Sequence, residues 1–122
     1  MTKITSYKEL TVWQKSYELT LKIYLITEKF PKKEDFSLTS QMRRCSLSVP
    51  SNIAEGYRRN HRKEFIQFLQ IAYGSASELE VQLLLTKDIN YITKEEYETY
   101  NSLLVEVLKM LNVLLTKLKQ VV

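Results

Sequence analysis

Apolar residues recur at steps of four and three in four separate stretches of this chain, the spacing that lines one face of an α-helix. The first stretch carries two such series side by side: Val12, Ser16, Leu19, Ile23, Ile26 and Phe30, and Trp13, Tyr17, Thr20, Tyr24 and Thr27. Two adjoining stripes predict a buried face broader than a two-stranded coiled coil requires. Ser6 with Glu9 and Thr11 with Gln14 both have capping-box spacing, so the helix is expected to begin near one of them. Pro31, Lys32 and Lys33 end it.

In the second stretch Leu38, Met42, Cys45, Val49 and Asn52 face one way, with Asp35 as the expected cap. Pro50 interrupts this helix. It has no N–H and its ring crowds the Ser46 carbonyl, so a kink is predicted there, with Ser46, Ser48 and Ser51 placed to satisfy the freed carbonyl or to hydrogen-bond neighbouring helices. Gly56 weakens the helix near its end, and Asn60 is the natural cap for the next.

The third stretch holds Phe65, Leu69, Ala72, Ala76, Leu79, Leu83 and Thr86 in unbroken register, broadened by Phe68 and Ile71. Its small run at 74–77 lets another helix approach closely. The fourth opens on a capping box, Thr93 with Glu96, and continues through Tyr97, Tyr100, Leu104, Val107, Leu111, Leu114, Leu118 and Val121. Leu103, Val105, Leu108, Met110, Val113 and Leu115 add apolar surface on its other faces, a surplus that predicts a subunit interface on this helix.

These patterns predict an all-α chain: an antiparallel up-and-down four-helix bundle in one domain over residues 1–122, the second helix kinked at Pro50. The helices are expected at about 9–30, 37–59, 62–89 and 94–121. Only two glycines and two prolines argue against an all-β fold with many tight turns. The lone Cys45 excludes an internal disulfide and favours a reducing compartment. With no signal pattern and no apolar run of spanning length, a cytoplasmic protein off the membrane is expected.

A net charge of +4 permits an anionic partner without demanding one. Residues 1–33 hold seven Lys against three Glu, so the basic character gathers on the first helix and at a second cluster. That cluster is Arg58, Arg59, His61, Arg62 and Lys63, with no acid between Gly56 and Lys63. It closes the stretch from Ser40 to Arg59, whose Ser, Asn, Gly and Pro content helix propensity alone would not select.

Three segments carry a family resemblance: LTVWQKSYEL at 10–19, SQMRRCSLSVPSNIAEG at 40–56 and EFIQFLQIAYGSASELEVQL at 64–83. In that order and spacing the chain resembles the four-helix-bundle family known from open reading frames in intervening sequences of bacterial large-subunit ribosomal RNA genes. Cys45 stands where the pattern usually has a small residue such as Ala. The resemblance implies a homopentamer of up-and-down bundles. It also implies distant kinship to the accessory proteins of diversity-generating retroelements, which are basic pentameric bundles that bind nucleic acid and a reverse transcriptase. For most members of the family the activity is not known, and a shared fold does not transfer function by itself.

Two groups of residues are therefore candidates. Arg58, Arg59, His61, Arg62 and Lys63, joined by Lys15 and Lys22 of the first helix, would contact phosphates beside a helix N-terminus; the alternative is a solvated polar loop. Arg43, Arg44, Ser51, Asn52, Glu55, Glu78 and Glu80 would form a packing and assembly network, with Glu55, Glu78 and Glu80 as partners of the Arg pair and Asn52 fixing register. No catalytic residues are expected, because Ser51, Asn52 and Glu55 have no base beside them and His61 lies two turns away. One Cys and one His make no metal set, and there is no phosphate loop, so no cofactor and no small-molecule substrate are expected. Trp13 and the eight tyrosines fall mostly on heptad faces, where packing is the default over base stacking. The sequence leaves two functions open: RNA or DNA binding by an oligomer, or an oligomeric scaffold for another protein.

Overall fold

A computed structural model describes residues 5–120 and contains four long helices: α1 (Thr11–Thr27), α2 (Leu38–Arg58), α3 (Arg62–Asp88) and α4 (Lys94–Lys119). Among the described residues there is no strand. Each helix packs on its neighbours in chain order and α4 closes back on α1, so α1 lies diagonally across from α3, and α2 from α4. The bundle is the predicted up-and-down four-helix arrangement.

The inner stripes are those the periodicity marks. Val12, Leu19, Ile23, Ile26 and Phe30 of the first segment meet Met42, Val49, Leu69, Leu79, Leu83, Leu104, Val107 and Leu111, all buried. On α2 the stripe ends on Ile53 and Gly56, while Asn52 sits half-buried at its edge. Of the second α1 series only Thr20 and Thr27 are buried; Tyr17 and Tyr24 face outward. Val121 lies outside the described residues.

The helices start within two positions of the expected residues, but the capping residues differ at three of the four starts. Ser6 caps a separate single 3-10 turn, Tyr7–Glu9, accepting from the Lys8 N–H, and α1 starts behind Leu10 with no side-chain cap. Asp35 closes another 3-10 turn, Lys32–Glu34, and Ser37 occupies the cap position of α2. Asn60 does not cap α3: it adopts φ 60°, the left-handed conformation Asn tolerates, and so terminates α2. His61 is the first residue flanking α3. The fourth prediction holds: Thr93 and Glu96 exchange both bonds of the capping box, at 3.1 and 2.8 Å.

The helix α2 continues through Pro50, and the carbonyl that Pro50 frees finds its donor on another helix. Thr20 Oγ1 of α1 lies 2.9 Å from Ser46 O and 3.0 Å from Ser16 O. A hydroxyl has one proton, and in a helix the Ser16 carbonyl already accepts the N–H of residue 20. Ser46 O is the acceptor in need. None of the three serines serves that carbonyl, but Ser48 makes the expected bond to a neighbouring helix: Ser48 Oγ meets Ser75 Oγ of α3, Ser46 Oγ donates to Arg43 O, and Ser51 is exposed.

Gly56 brings α2 and α3 together. A Cβ there would stand 2.6 Å from Phe68 Cβ and 3.0 Å from Phe65 Cδ1, closer than packing allows. Most of the surplus apolar surface read onto α4 is used within the chain: Leu115 is buried and Leu103, Leu108 and Met110 pack against the molecule's own core, while Val113 stays exposed. The exposed large apolar side chains belong mainly to α1 (Tyr17, Leu21, Tyr24, Leu25) and α3 (Ile71, Tyr73, Val81, Leu84, Leu85).

Candidate nucleic-acid interface

An up-and-down bundle gathers four helix ends at each pole. The start of α1, the end of α2, the start of α3 and the end of α4 share one pole, as two contacts demonstrate: Arg58 stacks 5.3 Å over the Tyr7 ring, and Arg62 donates to Leu118 O at 3.2 Å. This pole collects Lys8, Arg58, Arg59, Arg62, Lys63, Lys117 and Lys119 against Glu9, Glu55 and Glu64. The opposite pole carries Lys29, Lys32, Lys33, Lys87 and Lys94 against Glu28, Glu34, Asp35, Asp88, Glu95, Glu96 and Glu98. Folding therefore separates charge along the bundle axis.

At the basic pole the cations differ in how far they are committed. Arg59 is neutralised: its guanidinium pairs with Glu55 at 2.9 Å and Glu64 at 3.8 Å and lies over Phe68. The acid-free run in the sequence is thus closed in space by its two flanking glutamates. Arg58 is held by a ring and Arg62 by a carbonyl at the negative end of α4, contacts that offset their charge in part and leave both without a carboxylate partner among the described residues. The side chains of His61 and Lys63 are exposed and make no hydrogen bond or ion pair with the described residues. They stand at the N-terminus of α3, whose own first N–H groups have no side-chain cap. The Lys63 ammonium beside the positive end of the helix is offset only in part by Glu64 in the same turn, whose carboxylate also faces Arg59, and an added anion would be favoured there.

The lysines of the first segment do not all reinforce this field. Lys15 pairs with Glu106 of α4 at 3.7 Å, and Lys22 is half-buried midway along α1. Lys29 pairs with Glu96, and Lys32 and Lys33 follow it, all at the acidic pole. Lys3 lies outside the described residues.

The structure also separates the Arg pair. Arg43 turns inward: Nε donates to Thr27 Oγ1 at 2.8 Å, and its terminal nitrogen reaches Tyr24 O at 3.2 Å and Glu28 at 3.3 Å. Its guanidinium lies 4.9 Å from the centre of the Tyr24 ring. Its carboxylate is Glu28 of the α1 terminus, not Glu55, Glu78 or Glu80. Arg44 is exposed and has no bonding partner among the described residues. Glu80 is half-buried on α3. Asn52 bonds within its own helix, to Ser48 O at 2.7 Å and Ser48 Oγ at 2.9 Å, and Ser48 carries the link across to Ser75 of α3.

Burial, then a hydrogen bond and the charge of Glu78, pushes the Cys45 thiol up to about 11, which keeps it protonated and a poor nucleophile. No group of His, Cys, Asp or Glu among the described residues is arranged to hold a metal ion, and no helix is long and apolar enough to cross a membrane.

Sequence reasoning missed Tyr7, Lys117 and Lys119 at the basic pole. The signal was available, because an up-and-down bundle must bring the start and end of its chain to the loop between α2 and α3. It missed Thr20 and Thr27 as polar partners of α2 because both sit in apolar register, where a threonine reads as core.

The arrangement has known counterparts. The family model described as 23S rRNA-intervening sequence protein matches residues 8–113. A crystal structure at 1.70 Å of a protein of unknown function from the S23 ribosomal protein family, from Bacteroides thetaiotaomicron, superposes with a TM-score of 0.80. It shares 32% sequence identity, and the match covers 89% of this chain and 98% of that one. No curated protein matches the chain.

Proposed function

The chain belongs to the 23S rRNA-intervening sequence protein family, and from that premise we propose a non-enzymatic, cytoplasmic homo-oligomer that associates with nucleic acid through the basic pole of each bundle. Its oligomer is the homopentamer that the family resemblance implies, and its ligand is RNA, ribosomal RNA foremost. The observation that carries this reading is the excess of cations over carboxylates at one pole, where Arg58, Arg62 and Lys63 pair with no carboxylate among the described residues. Such a surface neutralises backbone phosphates and releases counterions, so binding is salt-dependent and reads shape more than sequence. A rotation axis along the bundle would set every basic pole on one face and multiply the field of a chain with a net charge of only +4.

Gel-shift titration of structured RNA, single strands and duplex DNA at low salt tests the proposal. Replacing Arg58, Arg62 and Lys63 by Ala is expected to weaken RNA binding by roughly 10²–10³-fold and to flatten its salt dependence by about three phosphate contacts. Absence of binding at low salt, or unchanged affinity in the triple variant, sinks it. A second reading, a scaffold for a protein such as a reverse transcriptase or a ribosomal component, is favoured by one observation. Phe36 is 100% exposed in the loop before α2, an apolar anchor without a pocket in its own chain.

A further inference from the structure

The chain has two glycines, and both lie inside helices, where glycine costs stability relative to alanine. At Gly56 the cost has a reason within the chain, since Phe68 leaves no room for a Cβ. At Gly74 it has none: a Cβ there would meet no atom within 4 Å. Gly74 is exposed at mid-length on α3, and by helical spacing Ile71, Gly74, Glu78, Val81 and Leu85 share its outer face. Three of those neighbours are apolar and exposed, Val81 to 68%. An apolar outer stripe with a glycine in its middle suits the close approach of another backbone.

We infer that the α3 face around Gly74 receives the outer face of α1 from a second copy of this chain. The inference rests on the oligomeric half of the function proposed above and adds the mode of contact. On α1, Leu21 and Leu25 project outward one turn apart, Leu25 with 71% of its surface exposed. Helices α1 and α3 start at the same pole and run parallel. At 1.5 Å per residue, Leu21 and Leu25 lie about 15 and 21 Å from the start of α1, and Gly74 about 18 Å from the start of α3. A rotation about an axis along the bundle preserves height, so the leucine pair of one copy meets the glycine hollow of the next.

Charge agrees with this pairing. Lys22, between the two leucines, has no bonding partner among the described residues, and Glu78, one turn beyond Gly74, has no basic partner there. Because α1 and α3 are diagonal, each copy offers α1 on one flank and α3 on the other. The contact is heterologous, the kind that propagates head to tail, and with no translation along the axis it builds a ring rather than a filament. The outer face of α4 is mainly polar, with exposed Ser102, Lys109, Asn112 and Thr116 around a single exposed apolar residue, Val113, and takes no part in this contact.

Light scattering and sedimentation over a concentration series test the inference, with circular dichroism as the check on folding. Gly74→Glu and Leu25→Glu should each be a helical monomer at concentrations where the wild type assembles. Mixed in equal amounts, they should form a heterodimer and nothing larger, because only one good flank of each remains. Val81→Glu repeats the first arm on the same stripe if Gly74→Glu loses helix. Gly74→Ala should keep or gain thermal stability as a folded chain. A monomeric wild type overturns this contact together with the oligomeric reading. A wild type that assembles beside a Gly74→Glu variant that assembles equally well overturns this contact alone. Variants that are each monomeric but fail to pair when mixed overturn the α1-to-α3 polarity.

Discussion

The two poles of the bundle are each built from four helix ends, yet they use their charges in opposite ways. At the acidic pole charges are spent across elements: Lys29 of the α1–α2 connection holds Glu96 of α4, Tyr91 donates to Glu34 at 2.7 Å, and nearby Arg43 of α2 ties down the end of α1. At the basic pole the carboxylates act on Arg59 from its own helix and the next, and the other cations rest on a ring, on a carbonyl or in water. The first arrangement fastens the fold; the second leaves charge available. A cluster of charged residues is therefore better judged by what its members already hold than by their number.

The sharpest test of that contrast sets the poles against each other. Lys29, Lys32 and Lys33 replaced together by Ala remove as much charge as the basic-pole triple, but RNA affinity in a gel shift is expected to change less than about threefold, the modest effect of distant, screened charges. An equal loss in both triples would erase the distinction. Next in size, Arg43→Ala should cost about 1–2 kcal/mol in denaturant unfolding, from lost hydrogen bonds to Thr27 and the Tyr24 carbonyl, without altering RNA binding.

The smallest effect is in acid. Hydrogen bonds from Ser37 and then Tyr91 hold the Glu34 carboxyl below the usual carboxylate range, and Lys29 with the Thr93 backbone does the same for Glu96. Both groups bind fewer protons folded than unfolded. Their contribution is present above the ordinary carboxylate pKa of about 4.3 and is lost as pH falls through their lower folded values. Amide exchange followed downward from pH 5 should open the Glu34–Tyr91 and Glu96 region before the α2–α3 corner. The reverse order would mean that the acidic pole is not the fastened one.

Much of this architecture was legible in the order of residues. The four stripes, the helix ends to within a few positions and the Thr93–Glu96 cap follow from spacing alone, because helical periodicity is a local property. What stayed hidden depends on which helix lies beside which. Glu28 as the partner of Arg43, the neutralising of Arg59, and the dispersal of the first-helix lysines to both poles are facts of topology. The surplus apolar surface of α4 has the same origin: α4 reads as apolar on several sides, but α1 and α3 flank it closely enough to cover most of that surface. At the candidate site, Arg58, His61, Arg62 and Lys63 were found from sequence, whereas the state of each charge required the fold.

The hydroxyl that Thr20 lends to the Ser46 carbonyl also bears on the order in which the chain can mature. In an isolated α2 water serves the Ser46 carbonyl, but burying that face removes the water and requires a donor from the chain, which only the preceding helix supplies. In synthesis from the N-terminus, α1 is already out when α2 emerges, and the hairpin of the two becomes the smallest piece able to bury that carbonyl with a partner. The α3 helix then finds a completed surface, with the gap over Gly56 ready to receive Phe68.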